Sequence, residues 1–258
     1  MSRWLSCGVN VFVYAFILAP ILVIIPVSFS ETQYLVFPPQ GFSLRWYVNF
    51  FKTRELTTSL GTTLHLAFWT TLSATVAGTM VAIAIVRHRF RGRETIRTLL
   101  MAPIVMPRLV LGIAFLLFFS KTVLSGAFGA LLAAHLVIAL PYVIRTVGAS
   151  LLGLDRSLEE AALSLGATPL LTFRTITLPL LKPGILAGAI FAFVTSFDEL
   201  VVSLFLTGPN LTTLPVQIYN YIEYTSDPTI AAISVVLIVF TSLVVLITER
   251  IVGFGQFV

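Results

Sequence analysis

Three ionisable side chains stand inside apolar runs. Arg108 lies in LLMAPIVMPRLVLGIAFLLFF, and the adjacent Asp198 and Glu199 lie in FVTSFDELVVSLFLTGP. At membrane depth each charge costs at least ~2.5 kcal/mol on insertion scales, so such groups turn toward the interior of a bundle, where their chemistry is to pair with one another or to meet a charged solute. Neighbouring positions on a helix point about 100° apart, so Asp198 and Glu199 cannot both line one narrow path equally. Two readings stand: the three side chains line a pathway, or, lying at similar depth, Arg108 and a carboxylate neutralise each other. His135 and Arg145 form a second rank, since Arg145 can snorkel to the interface.

One polar passage, residues 151–183, LLGLDRSLEEAALSLGATPLLTFRTITLPLLKP, interrupts the apolar chain. Ser157 followed by Glu160 matches a capping box, which predicts a helix of about two turns from near Leu158, with Glu159 and Glu160 in its dipole-favoured first turn. Gly166 suits a left-handed corner after that helix. Thr168 before Pro169 signals a second start, and Pro179 and Pro183 disfavour an uninterrupted continuation.

Composition excludes several classes. Of 258 residues, 57% are hydrophobic and 10% charged, against roughly 25% charged in soluble domains. The net charge of +5 is explained by loops at one membrane face rather than by nucleic acid. The single cysteine, Cys7, excludes an intrachain disulfide, and three scattered histidines offer no metal cluster. No G-x-x-x-x-G-K-[ST] loop is present, and no nucleophile and base stand at a recognisable spacing.

The elements holding these residues are membrane spans, read at about 9–29, 57–86, 99–120, 123–147, 184–206 and 230–247. The first has the length of a hydrocarbon crossing and no clear cleavage site, so it reads as a retained span. GFSLRWYVNFF places Leu44, Tyr47, Val48 and Phe51 at helical spacing, an interfacial helix with Trp46 and Tyr47 at headgroup depth, or else an irregular loop. The second span is rich in Thr, Ser, Ala and Gly and is expected to pack closely on other helices, with His65 in a satisfied polar contact. RHRFRGRETIR, residues 87–97, is read as a cytoplasmic topology anchor. Six crossings from a cytoplasmic N-terminus place this loop and 151–183 inside, with eleven of sixteen Lys and Arg at the inner face and four outside. The expectation is an all-α integral membrane protein, one six-helix bundle with both termini cytoplasmic, no repeat and no broken helix.

The run Glu160-Ala161-Ala162, Gly166, then Ile176-Thr177-Leu178-Pro179 resembles the EAA loop of permease subunits of ATP-binding-cassette (ABC) importers, in spacing and residue types. GFSLRWY and residues 196–234 resemble the permeases of spermidine/putrescine-type importers, the second of the two permeases in particular. The resemblance implies a type I importer permease, a single transmembrane domain over 1–258 in a bacterial inner membrane. It further implies that residues 157–179 are a coupling helix docking on an ATPase dimer, with Ser157, Glu159, Glu160, Ala161, Ala162, Gly166, Ile176, Leu178 and Pro179 as coupling residues. The chain itself would carry no cofactor; ATP and Mg would sit on the ATPase. A second permease in a heterodimer, an extracytoplasmic solute-binding protein and the bilayer are the other implied partners, with no nucleic acid. The implied solute is a polyamine, which Asp198 and Glu199 suit and an unpaired Arg108 opposes; another small solute, zwitterionic or anionic, is the alternative. An ion-coupled carrier is the rival class, and a membrane enzyme the weakest.

Overall fold

A computed structural model describes residues 3–208, 210–225 and 227–252. Pro209, Ser226 and both chain ends lie outside the described residues. The elements are α1 (Arg3–Val27), α2 (Arg45–Lys52), α3 (Arg54–Arg87), α4 (Arg93–Val105), α5 (Arg108–Phe119), α6 (Phe128–Gly153), α7 (Ser157–Ser164), α8 (Pro169–Thr172), a π-helical turn (Phe173–Thr177), α9 (Leu178–Phe197), α10 (Val201–Leu206), α11 (Leu214–Tyr224) and α12 (Thr229–Val252). Among the described residues five helices are long and apolar enough to cross a membrane, six if the bent pair α4–α5 is one span.

The described residues group into two compact units, one of residues up to Ser59 with Gln217–Ser242, the other of Leu60–Val216 with the chain from Leu243. In the first, the expected helix at 45–52 is present, but its buried side chains are Trp46 and Phe50, while Leu44, Val48 and Phe51 are exposed. Trp46 is held inside the protein because its indole N–H donates to the Ser30 carbonyl at 2.7 Å, whereas the Tyr47 hydroxyl meets Ser28 Oγ at 2.7 Å. Asn49 donates to Thr229 Oγ1 at 3.0 Å, and Asp227 Oδ1 accepts from the Thr229 N–H at the start of α12.

The second unit is built around α6 and α9. Gly184 and Gly188 form a small-xxx-small face on α9 that lets it lie against α6. A Cβ at Gly188 would stand 2.6 Å from Thr146 Oγ1 and 3.1 Å from Val143 Cα. Gly78 of α3 makes an equally close approach, its absent Cβ 2.7 Å from Val143 Cβ, so the small-residue helix does pack as its composition predicts. His65 accepts from Trp69 Nε1–H at 2.7 Å and stacks on Phe128.

Two expected spans are broken, contrary to the absence of broken helices read from the sequence. Residues 99–120 fold as two helices bent by 110°. Pro107 excludes its predecessor from helical geometry, and Met106 is accordingly extended, φ −81° and ψ 138°. The run 184–206 breaks at Asp198, φ −98° and ψ 5°, before α10. Conversely, Pro179 and Pro183 do not interrupt the chain: α8, the π turn and α9 form one helical run from Pro169 to Phe197. The Leu178 N–H reaches back five residues to the Phe173 carbonyl; this widened turn displaces the carbonyls ahead of Pro179, whose ring would otherwise meet the one four residues back. The connection before α6 is also longer than a turn at Lys121 and Thr122, occupying 120–127.

Overpacking a tight helix contact costs about 1–3 kcal/mol. Gly188→Val should therefore lower the unfolding midpoint of the detergent-purified protein, while Gly61→Val, at a glycine with nothing within 4 Å of its Cβ position, should leave it within error.

Candidate functional site

The chemistry-bearing residues occupy two places in the second unit, the break where α5, α9 and α10 meet and the loop between α6 and α9. At the break, Glu199 does two things. Its Oε1 accepts from the Val202 N–H at 3.0 Å, capping α10, and its Oε2 lies 3.3 Å from Arg108 Nη1 at the first position of α5. Glu199 is buried, 8% exposed. Arg108 Nη1 is at ion-pair distance but makes no aligned hydrogen bond. Of the three intramembrane charges the structure thus pairs Arg108 with Glu199 and leaves Asp198 apart: its side chain is exposed, with no ion pair or hydrogen bond among the described residues.

Beneath this pair lies a buried polar chain that the sequence reading caught only in part. His135 of α6 places Nδ1 2.9 Å from Ser196 Oγ and Nε2 3.0 Å from Ser203 Oγ. Ser203 spends its one proton on the Glu199 carbonyl at 2.8 Å. It must therefore accept from His135 Nε2–H, which leaves Nδ1 to accept from Ser196. The neutral imidazole so bridges the end of α9 to the start of α10. Ser196 and Ser203 carried one available signal: they flank the Asp-Glu pair in an otherwise apolar run.

The loop begins differently from the expected capping box. Helix α7 starts at Ser157, and its first N–H is taken by Asp155, whose Oδ1 accepts from Ser157 N–H at 2.9 Å. This bond and the Ser157 hydroxyl hold the exposed Asp155 carboxyl below its ordinary value, so the cap persists at neutral pH. Asp155 stands two residues before the first helical residue, and Ser157 is a donor to it rather than the cap. At the other end the expectation holds: Gly166 has φ +89°, its N–H donates to the Leu163 carbonyl and that of Ala167 to the Ala162 carbonyl, the paired bonds of a Schellman motif. Nothing lies within 4 Å of a Cβ at Gly166, so its backbone conformation, not crowding, requires glycine. Thr168 Oγ1 then caps α8 by accepting from the Leu171 N–H, with Pro169 at its first turn.

Glu159 and Glu160 point apart. Glu159 Oε1 takes Arg87 Nη2 at 3.0 Å and the Thr177 hydroxyl at 2.7 Å, tying α7 to the end of α3 and to the π turn. Glu160 and Ala161 face outward, and α7 buries none of its residues. Leu165 is 90% exposed. Ile176 and Leu178 are half-buried and Pro179 is exposed. Arg87 was read only as a topology anchor; the structure gives it a carboxylate partner.

Removing one member of a buried ion pair costs about 3–5 kcal/mol because the other charge stays behind, whereas replacing both is far milder. Arg108→Met should thus destabilise the purified protein more than Arg108→Met combined with Glu199→Gln, whose amide oxygen keeps the cap on Val202. A double-mutant cycle on unfolding midpoints reads the coupling; strict additivity would deny the pair.

Comparison with known proteins bears on this architecture. The family model for binding-protein-dependent transport system inner membrane components matches residues 74–254. The chain is 32% identical over 253 residues to the spermidine/putrescine transport system permease protein PotC of Escherichia coli (strain K12), covering 98% of this chain and 95% of PotC. It is 35% identical over 234 residues to the putrescine transport system permease protein PotI of the same strain, covering 87% and 82%. A chain of a bacterial ABC transporter involved in the import of the acidic polysaccharide alginate superposes with a TM-score of 0.72 at 17% identity, covering 97% of this chain and 98% of that one, a likeness of fold alone. Broken helices therefore do not argue here for an ion-coupled carrier: the chain belongs to the family of binding-protein-dependent transport system inner membrane components and is a permease subunit of an ABC importer.

Proposed function

We propose that this permease forms half of the translocation path for a small polyamine, with six crossings, both termini cytoplasmic, and α7 docked on an ATPase dimer that supplies ATP and Mg. The observation that carries the coupling reading is α7 itself: fully exposed on one side, anchored on the other through Glu159 to Arg87 and Thr177. A short helix whose outer face carries Glu160, Ala161 and a 90% exposed Leu165 is shaped to be covered by a partner. The second permease and the solute-binding protein complete the machine.

Force applied to α7 has a defined route. The corner at Gly166 fixes the angle into α8, and from Pro169 to Phe197 the chain is one helical run. That run acts as a lever, uninterrupted at Pro179 and Pro183. Its far end is the Asp198–Glu199 break, so motion there displaces the carboxylate that both caps α10 and holds Arg108.

The polyamine reading is supported by the resemblance to PotC and PotI over most of the chain and by the charges at the break. An ammonium entering a low-dielectric passage needs a carboxylate or other acceptors. Asp198 is the exposed carboxylate at that point, and because Glu199 neutralises Arg108, that cation does not oppose a polyamine.

The test is uptake of labelled putrescine and spermidine by the reconstituted importer with its binding protein and ATP. Asp198→Asn should cut uptake tenfold or more while ATP hydrolysis continues; unchanged uptake would sink the assignment of Asp198. Glu160→Lys or Gly166→Val should abolish both uptake and binding-protein-stimulated ATP hydrolysis in protein that remains inserted. Wild-type transport in both variants would defeat the coupling role of the loop.

A further inference from the structure

A cavity of about 520 Å³ opens between α3, α4 and α6, on the side of the bundle that carries the arginine loop. Its walls are aliphatic, among them Ile85, Met101 and Ile104, and three arginines reach it: Arg93 and Arg97 from the first turns of α4, and Arg145 from α6. The carboxylate facing them is Glu94, 3.7 Å from both Arg93 Nε and Arg97 Nη1. Three guanidinium groups against one carboxylate leave the site cationic. Arg93 Nε is buried without a hydrogen-bond acceptor, and Arg145, inside a span eight residues before the end of α6 at Gly153, has no ion pair or hydrogen bond among the described residues. At the rim, Val105 is 81% and Leu152 78% exposed, so the cavity opens outward rather than into the packed core.

We propose that this cavity binds an anionic glycerophospholipid of the cytoplasmic leaflet, its phosphate between Arg93, Arg97 and Arg145 and the start of an acyl chain along Ile85, Met101 and Ile104. The inference rests on the orientation proposed above, with the arginine loop inside. A phosphodiester supplies what the site lacks: a counter-charge for the excess guanidinium groups that line it, above all for Arg145, which otherwise stands unpaired in a span. An aliphatic wall beside a cationic rim fits a lipid better than a free anion, which would use the arginines and leave the wall wet. Basic pockets between transmembrane helices at the cytoplasmic side suit such headgroups. By bridging α4 to α6, the lipid would hold the arm of the broken helix that leads to Arg108.

Native mass spectrometry of the intact importer complex tests this directly, with phosphatidylglycerol, phosphatidylethanolamine and inorganic phosphate as probes. Each arginine near an anionic headgroup is worth roughly a factor of five, so Arg97→Gln with Arg145→Gln should reduce phosphatidylglycerol retention about twenty-five-fold, with phosphatidylethanolamine retention little changed. Equal retention of both lipids by the wild type, equal retention by wild type and variant, or occupancy by phosphate matching that by lipid would overturn the proposal. Should the double variant fail to assemble, Met101→Asn, which places a neutral polar group in the aliphatic wall and leaves the arginines' charge unchanged, should weaken phosphatidylglycerol but not phosphate. A Leu152→Cys variant that cross-links to the second permease in the native complex would show the cavity covered by protein, and would likewise overturn the proposal. None of these readouts uses transport, so they stand or fall apart from the polyamine assignment.

Discussion

The pairing of Glu199 with Arg108 is the constraint on which the centre of the second unit depends. Each charge alone would be costly among apolar helices, and neither is placed by an unbroken helix: Arg108 opens α5 because Pro107 ended α4, and Glu199 follows the last residue of α9. The two breaks therefore need each other. A buried ion pair is weak evidence for net stability, but it is strong on register. Sliding α9 by one residue would bring Asp198 or Leu200 opposite Arg108 and leave Val202 uncapped. His135 adds a neutral clamp on the same junction, fixing Ser196 before the break and Ser203 after it.

This arrangement turns a local loop into a long-range connection. The helical run from Pro169 begins beside α7 and ends at the break, and its beginning is tied to α3 by Arg87 and Glu159. Against α6 it rides on Gly184 and Gly188, where close backbone approach resists shearing over large side chains. In the proposed scheme a push at α7 is met first by the Glu159 tether and last by the Glu199 pair. Both are charge-assisted contacts that can be exchanged without unpacking an aliphatic core.

Much of this was legible in the sequence, for reasons that mark where the rest was not. Span lengths follow from hydropathy, and the Gly166 corner from the φ that only glycine adopts freely. The capping box failed because Asp155 and Ser157 both offer acceptor oxygens at one helix end and the carboxylate takes the Ser157 N–H, while Arg156, a donor only, cannot cap it. The Met106 break was readable from the residue before proline, but continuous hydropathy across it masks the bend. The Asp198 break was not readable locally. It contains neither glycine nor proline, and coincides with the point where Glu199 both caps α10 and reaches Arg108, ninety-one positions earlier in the chain. The same holds for Pro179, whose cost is absorbed by a π turn that no local signal announced.

The two adjacent carboxylates, indistinguishable by type and depth in the sequence, are separated in role by that break. Had α9 continued, Asp198 and Glu199 would sit about 100° apart on one helix, and Arg108 could have taken either. With the helix ended at Phe197, Glu199 turns inward to the α10 cap and Asp198 remains outward. The site then sums to one net negative charge: Arg108 cancels Glu199, and Asp198 stays free. A putrescine carries two ammonium groups, so in the polyamine reading one carboxylate here is half of what the solute needs. In that reading the other acceptors come from elsewhere along the path, as they would if this chain supplied one wall of the passage and the proposed second permease the other.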